Sequence, residues 1–280
     1  MDHQDQVVRQ ARLFGGSAPW DEVNSALEGL PEPIGLEVMK DLAREANLGQ
    51  GRLVLDLGAH GGRHAIELAS EFRCHAIALD LVSPGLLAAA KNIVAAGVQG
   101  LVSGIQADAH TLPLRASTVD LIWARDMLSC VDPRLLLSEC ARVLKPGGLL
   151  ILHAVYMTEL MEQRERERFV AALALTDGCD RQSVEEVISI AGFRVQRLIE
   201  LGAQSREREL ASGDQRLSED LLALMRLRRG SAELIRRFGA EWYETILAWR
   251  QWAVFMALGK LDVAVYLLRL EGVSDLGTDR

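Results

Sequence analysis

Carboxylates stand at the ends of successive short apolar runs in this chain: Asp56 in RLVLDLG, Asp80 in CHAIALDL and Asp108 in LVSGIQAD. The first run opens onto Asp56-Leu57-Gly58-Ala59-His60-Gly61-Gly62. Small residues there let the backbone approach a ligand closely, and Gly58 tolerates turn conformations that other residues do not. The helix that follows aims its N-terminus at the same place. A turn that holds a pyrophosphate would be disturbed by a carboxylate such as Asp56. The dinucleotide spacing G-x-G-x-x-G also fails, because His60 and Arg63 stand where glycine is required.

A carboxylate at Asp56 suits a cationic or amino-acid-bearing ligand instead. Asp80 ends the second run, where a carboxylate accepts hydrogen bonds from both hydroxyls of a ribose. Asp108 is placed to receive an adenine exocyclic amine, with the backbone N–H of Ala109 toward a ring nitrogen. The set points to adenosine bearing a positive charge, and S-adenosylmethionine carries an ammonium and a sulfonium.

Methyl transfer from a sulfonium is an in-line displacement with an activated leaving group, so orientation and exclusion of water do most of the work. A neutral amine acceptor needs no base, whereas a hydroxyl or carbon acceptor usually does. The histidines in reach are His60, His64, His110 and His153. His153, near the end of an apolar run, and His64, in the first turn after the glycine loop, are the candidate bases; packing is the competing role for each. Cys130 neighbours the same region. Trp242, Trp249 and Trp252 share one helix face by spacing, which serves either an aromatic wall or packing. Cys74, Cys130, Cys140 and Cys179 form no CxxC pair and no zinc spacing. No metal site is therefore expected, and buried thiols in a reducing cytoplasm are.

The elements that must position these groups alternate. Strand-like runs at RLVLDLG, CHAIALDL, LVSGIQAD, VDLIWARDML and LLILHAVY are separated by helical AIELASEF, LLAAAKNIVAAG and PRLLLSECARVLK, the last stopped at Pro146-Gly147-Gly148. This rhythm predicts an α/β fold with a doubly wound parallel sheet over 51–203, its strand C-termini on one edge. Residues 1–50 read as an N-terminal helical cap, with helices at Asp21–Leu27 and Leu36–Ala46 split by Pro31-Glu32-Pro33. Trp20 lies in that cap. Residues 157–179, with the charge-laced run Glu162–Arg168, and 204–258 read as helical insertions. A helix over 182–192, a strand at FRVQRLIEL and a last strand at VAVYLLRL, in a closing segment 259–275, complete the pattern.

The formal charge is −8, from 31 basic and 39 acidic side chains. Such a field repels phosphate backbones, so no nucleic-acid partner is expected. The N-terminus lacks the apolar stretch of a secretory signal. No apolar run is long enough to span a membrane.

VLDLGAHGGRHAIELA, IALD, ADAHTLPLRASTVDLIWARDMLSCVDP and ECARVLKPGGLLIL together resemble the class I S-adenosylmethionine-dependent methyltransferases, over roughly residues 50–155. The resemblance implies a seven-stranded sheet with an antiparallel last strand. It implies S-adenosylmethionine as cofactor and S-adenosylhomocysteine as product. By position, Asp56, Gly58, His60 and Gly62 fall on the first cofactor loop, with His60 where the family usually has glycine. Asp80 and Leu81 fall at the ribose, Asp108 and Ala109 at the adenine, and Arg125, Asp126 and Met127 on the segment that lines the cofactor. SREREL at 205–210 and GKLDVAVYLLRL are similar to small-molecule methyltransferases of the sarcosine and natural-product kind. That likeness implies a helical lid over a pocket for a small N-, O- or C-acceptor, and an apolar lid also offers a homodimer contact. A protein of the same fold that runs a cyclisation or rearrangement, or serves as a regulatory module, stays open as the alternative. A nicotinamide oxidoreductase is opposed by Asp56 and the broken fingerprint.

Overall fold

The computed structural model describes residues 35–175 and 180–271. The expected helix at Asp21–Leu27, the Pro31–Pro33 breaker, Trp20 and Cys179 lie outside them. The described chain separates into two compact units.

The first unit comprises residues 35–154, 180–199 and 265–271. Helix α1 (Leu36–Glu45) buries Leu36, Met39, Leu42 and Ala43 on one face. It belongs to this unit rather than to a separate cap. Lys40 pairs with Glu67 at 3.3 Å and Arg44 with Glu71, both on helix α2 (Arg63–Phe72). The sheet begins with β1 (Leu53–Leu57), which pairs in parallel with β2 (His75–Asp80) and β4 (Val119–Arg125). Helix α3 (Ser83–Ala95) leads to β3 (Val102–Gln106), and helix α4 (Pro133–Val143) to β5 (Leu144–Met157). Helix α6 (Arg181–Ile190) precedes β6 (Phe193–Glu200), and β7 (Leu261–Leu270) closes the chain.

The seven strands lie in the order β3-β2-β1-β4-β5-β7-β6. Strand order reverses between β1 and β4, which makes a crevice at their C-terminal ends where α/β sheets take ligands. The last strand is antiparallel: Leu201 N–H donates to Val263 O at 2.8 Å and Glu271 N–H to Gly192 O at 3.0 Å, so β6 and β7 run in opposite directions.

The stop at Pro146-Gly147-Gly148 falls inside β5 rather than before it. Val119 of β4 pairs with Leu144, yet Leu121 pairs with Leu149, so the intervening residues bulge out. The physical reason is local. Leu144 is already extended when α4 ends, and Pro146 has no N–H to give the ladder.

The second unit comprises residues 155–175 and 200–264. Both expected insertions therefore join one body. It is built from α5 (Gln163–Leu173), α7 (Ala203–Ala211), α8 (Arg216–Arg229), α9 (Ser231–Phe238) and α10 (Ala240–Ala257). Leu227 of α8 and Ile246 of α10 form a buried cluster with Leu234, Phe238 and Trp242 packed on it. Trp249 and Trp252 stack at 5.8 Å, and Phe169 meets Trp252 at 5.5 Å and Phe255 at 5.7 Å. Glu162, which opens the charge-laced run, sits at the N-cap of α5 and its backbone N–H donates to Glu165. Among the described residues, no helix is long and apolar enough to cross a membrane.

Candidate active site

The expected site residues lie at or beyond the C-terminal ends of β1, β2, β3 and β4 and, for His153, on β5, all within the sheet unit. The β1–α2 loop is tied down from three sides. Gly58 and Ala59 N–H groups donate to Leu79 O at 2.9 and 3.0 Å. Gly58 has a φ of 71°, and a Cβ there would lie 2.5 Å from Met127 Sδ. Gly62, at φ 75°, caps α2, and Asn92 Nδ2 holds Gly61 O at 2.9 Å. His60 adopts φ 43°, a left-handed conformation that explains why glycine suits this position. Its N–H donates to Asp80 Oδ2 at 2.7 Å.

Asp80 therefore stands between two loops. Its other oxygen accepts from Val82 N–H at 2.8 Å, and Gln106 Nε2 holds Leu81 O at 3.1 Å. Each carboxylate oxygen has two lone pairs, so capacity remains on both for a pair of vicinal hydroxyls. Those contacts fix the carboxylate before a ligand arrives.

Asp56 departs from the expectation of pairing with a cationic ligand. It is 1% exposed, and its Oδ2 accepts from Ala65 N–H at 3.0 Å. It thus caps α2, whose N-cap Gly62 offers no side chain. Burial pushes the acid up to about 8, against the Ala65 N–H and with the help of the Asp80 charge. Asp56 shapes the loop from beneath.

Asp108 is engaged by His110 through both a backbone N–H at 2.8 Å and the ring Nδ1 at 2.9 Å. Asp132 N–H donates to His110 Nε2 at 3.0 Å. The partners thus assign the ring proton to Nδ1, which orients Asp108. Ala109 is buried beside it.

Beyond β4 the chain turns sharply, with Asp126 at φ 58°. Arg125 NH2 lies 3.3 Å from Asp126 Oδ2, and His153 Nδ1 lies 2.7 Å from Asp126 Oδ1. Burial works to raise the Asp126 pKa, but Arg125, His153 and His64 outweigh it and hold the carboxyl well below the usual range. His153 is 2% exposed, and its Nε2 has no hydrogen-bond partner among the described residues. His64 meets Trp123 at 5.8 Å, and its Nδ1 is likewise buried without a described partner. Burial, aided by Arg125, pushes His64 down to about 4. A ring so reluctant to take a proton is a poor general base. Cys130 Sγ lies 3.8 Å from Ser129 Oγ, with no activating base in that contact.

The pairing of Asp126 with His153 was not legible in sequence, since it depends on the parallel register that sets Arg125 beside His153. The tie between His110 and Asp108 was hidden for a different reason: a tautomer needs both partners in view.

A methyltransferase domain family matches residues 55–152. The matched stretch is about a third of the chain. It holds the glycine loop, Asp80, Asp108, Arg125 and Asp126, and His153 follows its last residue. The chain is 27% identical to the (+)-O-methylkolavelool synthase of Herpetosiphon aurantiacus over 68% of each chain. The chain spans between half and about two thirds of the length of the curated relatives it matches. Two solved structures share the fold of the domain and its helical additions. Phosphoethanolamine N-methyltransferase 2 of Haemonchus contortus, in complex with S-adenosyl-L-methionine, aligns over 89% of this chain and 56% of its own, at TM-score 0.66 and 19% identity. The [4+2]-cyclase SpnF aligns over 90% and 92%, at TM-score 0.68 and 19% identity. The residues around this domain's loop fit S-adenosylmethionine: a pre-fixed carboxylate at β2, a loop with little side-chain bulk at Gly58 and Gly62, and no pyrophosphate fingerprint.

Proposed function

We propose that this chain transfers a methyl group from S-adenosylmethionine to a small-molecule acceptor. The observation that carries the reading is Asp80, a carboxylate at the tip of β2 that both loops hold in place and that retains lone pairs for a ribose. Gly58, His60 and Gly62 would give the backbone its close approach, with Leu81 beside the ribose and Asp108 and Ala109 at the adenine. Arg125, Asp126 and Met127 would line the far side, and Asp56 would support the loop. When bound, S-adenosylmethionine supplies a methyl group already activated by its sulfonium. The chain's own share is orientation and exclusion of water.

A small acceptor is supported by the net charge of −8, which disfavours nucleic acid, and by the O- and N-methylating names among the relatives. The cytoplasm suits the buried thiols of Cys74 and Cys140; burial pushes the Cys74 thiol up to about 11, which keeps it unreactive. The test is turnover of S-adenosylmethionine against a panel of phenols, alcohols, carboxylic acids and amines, read by mass spectrometry. A methylated product together with S-adenosylhomocysteine is the expected result. Conversion of an acceptor without methyl gain would move the reading to a cyclisation or rearrangement on the same fold.

A further inference from the structure

A cluster of polar atoms is buried behind β4 and β5, and the loop contacts described above do not use it. His64 Nδ1, Trp123 Nε1, Arg125 Nε, Asp126 Oδ1 and both ring nitrogens of His153 have no hydrogen-bond partner among the described residues. Buried polar atoms left unpaired in a native fold call for an explanation, and a ligand group is one of the accepted ones. Within the cluster one pair has a direction. Asp126 Oδ2 is held by Arg125 at 3.3 Å, and its Oδ1 lies 2.7 Å from His153 Nδ1. The backbone fixes the same pair, for Asp126 N–H donates to His153 O at 3.2 Å. The left-handed φ of 58° at Asp126 is a strained conformation for a residue with a Cβ, and such strain collects where a side chain must be aimed.

From this geometry we propose that His153 is the general base of the reaction, that Asp126 is its positioning residue, and that the acceptor is therefore an atom that must lose a proton, a hydroxyl oxygen or an acidic carbon, rather than an amine. The proposal rests on the methyl-transfer reading. A carboxylate on the Nδ1 side holds the ring proton there and leaves the Nε2 lone pair bare. The ring N–H is not yet aligned with Oδ1, although the atoms are close; such contacts commonly tighten only when substrate binds. On a hydroxyl acceptor, Nε2 takes the proton. The oxygen pair so released forms the new O–C bond to the methyl group, whose old bonding pair leaves with the thioether sulfur. An amine acceptor, methylated as the free base, would have no use for a buried base at this point. The charged and titratable groups around the pair are Arg125 and Asp126 at the end of β4 and His64 on α2.

Two measurements test this. The first is nitrogen NMR of histidine-labelled protein saturated with S-adenosylhomocysteine, assigned with His153→Gln. Nδ1 of His153 should carry the proton and Nε2 should be bare, and Asp126→Asn should abolish that preference while Asp126→Glu restores part of it. A proton on Nε2 in the wild type, or a tautomer indifferent to Asp126→Asn, overturns the proposal whatever the acceptor is. The second uses the same panel of phenols, alcohols, carboxylic acids and amines. Products should be methylated on a phenol or alcohol oxygen or on carbon, and His153→Gln should lower kcat by ~100-fold or more with the KM for S-adenosylmethionine unchanged. Exclusive N-methylation, or a kcat that ignores His153, overturns it. If no acceptor in the panel turns over, the tautomer decides alone. Failure of the protein to bind S-adenosylhomocysteine would sink the methyl-transfer reading itself, and calorimetry shows that separately.

Discussion

At the residue scale the site is governed by what is already hydrogen-bonded. His60 sits at φ 43°, where a side chain is tolerated but not favoured. His60→Gly should melt at or slightly above the wild-type temperature, whereas His60→Val should lose ~1–3 kcal/mol, since a β-branched residue is strained there. Equal melting temperatures for the two variants would contradict the backbone argument. Asp56 gives a pH signature. Its acid is pushed from the ordinary 3.8 up to about 8 by burial, so the folded state binds more protons than the unfolded one between those values. Stability from this group is greatest below about pH 4 and falls as pH rises toward 8. His64 acts oppositely: pushed down to about 4 from 6.5, it contributes stability above pH 6.5 that is lost as pH falls through 4. Between pH 6.5 and 8 the Asp56 slope should therefore stand without the His64 one. Denaturant melts of Asp56→Asn should be flatter than wild type in that window, and an unchanged slope would refute the buried acid.

At the element scale much was legible. Short apolar runs with an Asp or Gly near the end gave the first four strands; the central β1 and β4 are buried on both faces and read as nearly continuous apolar sequence, whereas the edge strand β3 is largely exposed. The β5 start was misread because Pro146-Gly147-Gly148 signals a turn but not whether the chain pairs before it. The helical unit was legible as helix but not as a body. Nothing distinguishes Arg206 in SREREL from Arg208, yet Arg206 is 3% exposed and lies 2.7 Å from Glu209. Arg250 and Asp220 are likewise buried, 3.5 Å apart. Burial raises the Asp220 acid while Arg250 draws it back. Removing the carboxylate of such a pair leaves a buried guanidinium charge less compensated, so Asp220→Ala should destabilise the helical unit by on the order of 3 kcal/mol. Arg236→Ala breaks an exposed pair with Glu233 and should change stability by less than ~1 kcal/mol. Thermal melts that rank the two variants the other way would show that the buried pair contributes little.

At the scale of the whole molecule, a sheet unit carries the residues that match a methyltransferase domain family and a helical unit is assembled from two separate stretches of chain. The crevice at the β1/β4 reversal follows from strand order alone. Its specificity does not: the acidic tips of β1 and β2 differ in role only because one carboxylate turns under α2 while the other stays between the loops. The account thus places cofactor recognition on Asp80 more than on any other side chain. Isothermal calorimetry of S-adenosylhomocysteine and of NAD, on wild type and Asp80→Ala, tests that claim most directly. Wild type should bind S-adenosylhomocysteine and ignore NAD, and Asp80→Ala should lose ~1–3 kcal/mol of affinity for the nucleoside. Binding of NAD in place of S-adenosylhomocysteine, or an affinity untouched by Asp80→Ala, would contradict it.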